Sequence, residues 1–251
     1  VGRLEGRSAL ITGGGRGIGA ATALRFAREG ARVGIMGKGQ KTLDVTKRRI
    51  ADAGFEIATF AGDVGRKEDA TAAVEAFVKQ FGGIDILVNN AGINMGKPFF
   101  EKSADEWAET MRVNVTGTFL MCQAAAKHMT AAKKGTIVNI ASVRGVTHLG
   151  REGVMDYSAS KAAVINMTAT LAKQLAPDIT VNAVAPGHTE TDMFLSLAPE
   201  IKTNMMAGTY LKRAAKPEEI AGVILFLASK DAACITGQTI VADCGFSLKA
   251  G

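Results

Sequence analysis

Residues 156–162 read D-Y-S-A-S-K-A, and two of them have chemical meaning at their spacing. Tyr157 and Lys161 stand four residues apart, which in a helix puts them on one face, one turn apart. A free phenol has a pKa near ~10 and exchanges protons poorly at neutral pH. An ammonium held close favours the phenolate and moves the group toward the range where general acid–base catalysis is effective. The same spacing also fits an ordinary helix with one aromatic and one solvated lysine. It gains meaning only from the residues that surround it.

A scaffold must hold such a pair, and 251 residues are enough for a sizeable core. The composition is that of an α/β protein: 47% apolar, 22% charged, 29 Gly and only 5 Pro. Apolar strand-like runs fall at residues 8–12, 31–36, 55–61, 84–88, 135–141, 179–184 and 239–242. Helical patterns separate them, including 42–53, 67–81, one long helix over 104–129, one from Tyr157 to about residue 176, and one over 217–229. No linker, repeat or low-complexity stretch divides the chain, so residues 1–251 are expected to form one domain. Alternation of this kind predicts a doubly wound parallel sheet with helices on both faces. Ligands then bind beyond the carboxyl ends of the strands.

Several polar and small residues fall at those strand ends. After the first strand comes G-G-G-R-G-I-G, residues 13–19, opening a helix. Gly13, Gly15, Gly17 and Gly19 would let backbone approach a pyrophosphate at the helix N-terminus, with Arg16 and Ile18 in the same turn. A glycine turn needed only for tight packing reads the same way. The second strand ends at Gly37 and Lys38, where a NAD site usually has an acidic residue for the ribose 2′-OH. No carboxylate repels a 2′-phosphate there, and the ammonium of Lys38, with Arg16 as a second cation, would attract one. NADP(H) is therefore favoured over NAD(H). The alternative is that Lys38 is a solvated loop lysine. Asp63-Val64, the run Asn89-Asn90-Ala91-Gly92, Ser142 and Pro186-Gly187 follow later strands. Ser142 is either a turn residue or a site group. Asn114, a mediocre helix former inside the long helix, marks a kink or a role.

Other classes are disfavoured. The formal charge of +6 is spread along the chain with no basic run, so no nucleic-acid partner is expected. The longest apolar run, residues 221–228, is too short for a bilayer, so no membrane association is expected. Cys122, Cys234 and Cys244 are scattered without C-x-x-C, which fits a reducing compartment and no metal site. The first residues, V-G-R-L-E-G-R, contain no apolar stretch of a secretory signal, and a cytoplasmic location is expected.

Taken together, T-G-G-G-R-G-I-G, D-V, N-N-A-G, Asn114 in N-V-T-G, Ser142 in I-A-S, Y-S-A-S-K and P-G-H-T-E-T resemble the short-chain dehydrogenase/reductase family. The resemblance is to the subgroup that includes β-ketoacyl-[acyl-carrier-protein] reductase, and it covers nearly the whole chain. It implies a Rossmann-like seven-stranded sheet in order 3-2-1-4-5-6-7. It also implies reversible hydride transfer between a nicotinamide cofactor and a ketone or secondary alcohol. By resemblance Tyr157 carries the proton and Ser142 holds the carbonyl oxygen. Lys161 holds the nicotinamide ribose and lowers the tyrosine pKa, and Asn114 anchors a water in a proton relay. Asp63 would contact adenine, Asn90 the adjoining ribose, and Thr191 with its neighbours Pro186, Gly187 and Thr189 the carboxamide. A homotetramer is implied as well.

The chain departs from the family pattern in places. The interval from Ser142 to Tyr157 is two residues longer than usual, Thr189 stands where Ile or Val is usual, and Cys244 where Gly is usual. The long loop carries Arg144, His148 and Arg151, and His188 follows a later strand. These four are candidate readers of a small acidic substrate, though solvated loop charges fit each one singly. A Met- and Leu-rich segment at about 188–212 sits where the family has a mobile lid. The leading reading is an NADP(H)-dependent ketoreductase. The alternatives are a NAD-dependent catabolic secondary-alcohol dehydrogenase and a non-catalytic dinucleotide-binding regulator.

Overall fold

Runs such as S-A-L-I-T, apolar on both faces, are stable as strands only when helices cover the sheet above and below. The computed structural model, which describes residues 2–146 and 149–249, has that arrangement. The strands are β1 (Ser8–Thr12), β2 (Arg32–Gly37), β3 (Ile57–Ala61), β4 (Ile86–Asn89), β5 (Gly135–Ile140), β6 (Ile179–Pro186) and β7 (Thr239–Ala242). They form one sheet in order β3-β2-β1-β4-β5-β6-β7, every pair parallel. The helices are α1 (Gly17–Arg28), α2 (Gln40–Asp52), α3 (Lys67–Phe81), α4 (Ala104–Met111), α5 (Gly117–Ala131), α6 (Met155–Leu175), α7 (Asp192–Leu195), α8 (Pro199–Ala207) and α9 (Pro217–Ala228).

Alternation along the strands divides the core between two faces. Ala9 and Ile11 of β1 join Phe26 of α1, Leu43 of α2 and Ile224 of α9. Leu10, between them, joins Phe77 of α3 and Met121 and Met129 of α5 on the other side. The sheet is thus doubly wound, and all strand ends that bear chemistry open on one edge.

The structure corrects the single long helix expected over 104–129. Residues Arg112–Thr116 form a π-turn between α4 and α5. Such a turn inserts an extra residue where a side chain is needed off the regular helical line. Asn114 lies in it, fully buried, and bonds to backbone outside the helix. Strand and helix ends also shift by a residue or two: β6 runs on through Pro186, and α6 starts at Met155, before Tyr157. The loop expected over 143–155 contains a 3-10 turn, Val143–Gly145. Among the described residues no helix is long and apolar enough to cross a membrane.

A buried ion pair fixes the start of α6. The carboxylate of Asp156 is fully buried and accepts from Lys102 Nζ at 2.9 Å and Thr110 Oγ1 at 2.7 Å. The Lys102 ammonium, also nearly buried, donates to the carbonyl of Met95 as well. The residue before Tyr157 is therefore tied to α4 and to the chain that leaves β4. Removing one member of such a pair leaves an uncompensated buried charge. Lys102→Met is expected to lower unfolding free energy in urea by about 3–5 kcal/mol. Adding Asp156→Leu should recover a large part of that loss. If the double variant is no more stable than the single one, the pair does not act as described.

Candidate active site

Tyr157 and Lys161 lie on the first turns of α6, with the lysine ammonium 5.7 Å from the tyrosine ring centre. Lys161 is buried, and its Nζ donates to the carbonyl of Ile140, the last residue of β5, at 2.7 Å. Burial pulls its pKa down to about 8. The Tyr157 phenol is raised, not lowered: burial dominates, opposed by a hydrogen bond with Ser142 and by the charge of Arg144. Loss of water around the ring thus outweighs both, and in the protein alone the lowering expected from Lys161 does not set the direction.

Ser142 caps the 3-10 turn, its Oγ accepting from Arg144 N–H at 3.1 Å. Asn114 takes Ile93 N–H on its Oδ1 at 2.8 Å. Its Nδ2 donates to Ile93 O at 2.9 Å and to Ser160 Oγ at 3.0 Å. Ser160 in turn donates to the carbonyl of Tyr157 at 2.7 Å. A Cβ added to Gly92 would lie 3.3 Å from Asn114 Oδ1 and 3.4 Å from Lys161 Nζ. Gly92, Asn114, Lys161, Tyr157 and Ser142 therefore converge beyond the ends of β4 and β5. Ser160 was legible inside Y-S-A-S-K but drew no reading from the sequence.

The glycine turn fits a dinucleotide. A Cβ on Gly19 would stand 2.4 Å from Gly13 O, and one on Gly13, whose φ is +63°, 2.9 Å from Asn90 Nδ2. Only glycine permits that wrap. It leaves the N-terminus of α1 with no side-chain cap and no acidic residue in its first turn, as a phosphate site needs. Arg16 stands exposed at that terminus, Gly15 packs on Thr42, and Ile18 packs on the core. The Asn90 amide holds the turn itself, donating to Thr12 O and Gly13 O, while Ala91 N–H bonds Thr12 Oγ1. Thr191 lies over the start of α1: its Cγ2 would be 3.1 Å from a Cβ on Gly17. Thr189 bridges to Ala215, its Oγ1 donates to Gly187 O, and Gly187 N–H bonds Ala242 O just past Pro186.

At the far end of this groove Lys38 is not free. Its Nζ lies 3.0 Å from Asp63 Oδ2, which also takes Arg112 Nη2 at 2.8 Å. Arg112 is braced in turn by Glu109. Although burial raises it, Asp63 falls to about 2 through hydrogen bonds from Arg112, Gly65 N–H and Lys38. Val64, beside it, is buried against Gly117 at the start of α5. Sequence reading missed Arg112, since its partner is 49 residues away.

Of the four cationic candidates at the rim, His148 lies outside the described residues. Arg144 is half-buried and Arg151 exposed. His188 sits against the Phe246 ring, centre to centre 5.1 Å. Burial first, then Arg144 and Arg151, push its pKa down to about 4 against the pull of Asp243, so it is neutral at physiological pH.

The family model described as "Enoyl-(Acyl carrier protein) reductase" matches residues 13–247. The 3-oxoacyl-[acyl-carrier-protein] reductase FabG of Aquifex aeolicus is 42% identical, across 95% of this chain and 96% of its own. The enzyme of the same name from Thermotoga maritima is 40% identical, across 98% and 100%. Among solved structures, a short-chain type dehydrogenase/reductase from Mycobacterium marinum superposes with TM-score 0.93 at 36% identity, covering 97% and 96% of the two chains. The structure of gox2181 gives 0.94 at 34% identity, covering 98% and 97%.

The depressed pKa of His188 has a stability consequence. Between its ordinary value near ~6.5 and about 4 the unfolded chain binds a proton that the folded chain refuses. Stability is therefore expected to fall as pH drops through that window, by on the order of 2 kcal/mol from this residue once solvent screening of the partly exposed ring is allowed for. His188→Gln should flatten the urea stability profile there. An unchanged profile would mean that His188 titrates normally.

Proposed function

The chain belongs to the short-chain dehydrogenase/reductase family and is an oxidoreductase acting on CH–OH and C=O groups; on that premise we propose that it is an NADP(H)-dependent ketoreductase with Tyr157 as general acid and base. The observation that carries this reading is the convergence of Ser142, Tyr157, Lys161 and Asn114 at one point on the sheet edge.

When bound, the nicotinamide supplies the hydride in one direction and accepts it in the other. Ser142 Oγ and the Tyr157 hydroxyl hold the substrate carbonyl oxygen. Tyr157 passes its proton to that oxygen as the carbonyl carbon gains the hydride. The Lys161 ammonium stabilises the phenolate left behind, and its tie to Ile140 O keeps it beneath the ring. Asn114 ties the Ile93 backbone to Ser160, which bonds the Tyr157 carbonyl, so the start of α6 keeps its place and the relay has a fixed start. In the oxidative direction each step reverses.

The turn from Gly13 to Gly19 and the N-terminus of α1 would hold the cofactor's pyrophosphate. Asp63 and Val64 would hold the adenine, Asn90, Ala91 and Gly92 the adjoining sugar, and Tyr157 and Lys161 the nicotinamide ribose. Pro186, Gly187, Thr189 and Thr191 would hold the carboxamide. Lys38 and Arg16 would hold a 2′-phosphate, for which Lys38 would have to leave Asp63. That ion pair also gives the NAD-dependent alcohol dehydrogenase its one supporting observation, since it occupies the cation. Residues 188–212 of this single domain act as the lid. Their base is pinned by the bridge from Thr189 to Ala215, while α8 has no buried residue. The enzyme works as a cytoplasmic homotetramer, which would cover the exposed Phe119 of α5 and Leu248 near the C-terminus.

Fluorescence titration is expected to show NADPH binding tighter than NADH, with the preference reduced about 10-fold in Lys38→Ala and in Arg16→Ala. Equal or better binding of NADH favours the NAD-dependent oxidation of secondary alcohols. Tyr157→Phe is expected to lower kcat/KM for ketone reduction by about 10²–10⁴ while cofactor binding persists. Retention of most activity in that variant would assign the proton to another group. Gel filtration at monomer mass would remove the tetramer.

A further inference from the structure

The inference rests on the ketoreductase reading and concerns what the same site selects. Arg144 lies two residues beyond Ser142 and is held from three sides. Its N–H bonds Ser142 Oγ, its Nη1 donates to Leu149 O at 3.1 Å, and its guanidinium carbon lies 4.8 Å from the centre of the Phe246 ring. The guanidinium is thus clamped between the loop after β5 and the C-terminal segment, close enough for its charge to act on Tyr157. Among the described residues no carboxylate forms an ion pair with Arg144 or Arg151. Asp243, whose charge reaches His188, already takes the N–H groups of Gly245 and Ser247.

Arg151 stands nearby on the rim of a cleft of about 720 Å³ walled by Pro98, Phe99, Val154 and Met155. Glu152 is at the same rim, exposed. Burial first, and then the like charge of Arg151, hold Arg144 below its ordinary pKa. A half-buried guanidinium beside a second one is unfavourable without a counter-ion. A planar carboxylate suits a guanidinium in two parallel hydrogen bonds. His188, neutral, adds no charge, so among the described candidates the charge comes from the two arginines.

We infer that this site selects ketones that carry a carboxylate, with Arg144 binding the carboxylate and Arg151, at the rim of the neighbouring cleft, drawing it in. The carboxylate is a handle and does not react. The ketone gains the hydride at carbon and a proton from Tyr157 at oxygen, giving a hydroxy acid.

The test uses the full chain with NADPH and a series of straight-chain oxo acids, each beside its methyl ester. For wild type, kcat/KM for at least one acid should exceed that of its ester by about 10- to 100-fold, and the ratio should shrink as salt is raised. Arg144→Met should abolish the ratio mainly through KM, and Arg144→Lys should restore part of it. Arg151→Ala, an exposed change that leaves the core alone, should lower the ratio by a smaller factor and flatten its salt dependence. Esters reduced as well as their acids by wild type would overturn the inference and leave the reductase reading standing. So would an acid preference that neither arginine variant moves. Failure to reduce any ketone, acid or ester, with NADPH bound would instead overturn the reductase reading itself.

Discussion

The hydrogen bond from Lys161 Nζ to Ile140 O joins the central helix of the site to the end of a central strand. A buried ammonium is costly, and its pKa of about 8 expresses that cost. The surroundings are built to hold it. Gly145 lies so close to α6 that a Cβ would come 2.4 Å from Lys161 C and 2.6 Å from Ala162 N. That close approach lets the turn after β5 fold down on α6 and brings Ser142 to Tyr157. Strand end, turn and helix thereby become one unit, and the proton-bearing phenol inherits its position from a neighbour's charge.

A second unit joins the two ends of the groove along the strand termini. Asp63, beyond β3, holds Arg112, and Arg112 opens the π-turn that carries Asn114. The contact is tight enough that a Cβ on Gly65 would stand 2.2 Å from Arg112 Nη1. The end of the groove at Asp63 and Lys38 and the end at Asn114 and Tyr157 are therefore linked through one short stretch of backbone. The net charge of +6 acquires meaning only at this level. Lys38 and Arg112, near the groove, are matched by Asp63 and Glu109, whereas among the described residues Arg144 and Arg151 have no carboxylate partner.

Much of this was legible in the sequence wherever the signal is local. Strand-like runs, the glycine turn, the spacing of Tyr157 and Lys161 and the oddity of Asn114 depend on neighbours in the chain. The strand order followed from family resemblance, because periodicity gives elements and not their arrangement. What escaped depends on distant partners. Lys102 meets Asp156 across 54 residues, and each alone reads as a solvated charge. Lys38 looked free because Asp63, its partner, sits at the end of another strand. The raised phenol of Tyr157 went unforeseen because burial is a property of the whole fold. Cys244 adopts φ +54°, a left-handed backbone that glycine suits better.

The π-turn at Arg112–Thr116 also sets a phase. One residue of an α-helix is about 100° of rotation, so a single extra residue turns everything after it by that angle. Before the turn, Thr110 of α4 faces the ion pair at the start of α6; after it, Met121 and Ala125 of α5 face the core shared with α3. A chain shortened by one residue here would form a smoother helix and a worse protein, because only one of the two faces would still meet its partner. Insertions and deletions should thus be tolerated in the surface loops and rejected at this point, although it lies within what reads as a continuous helix.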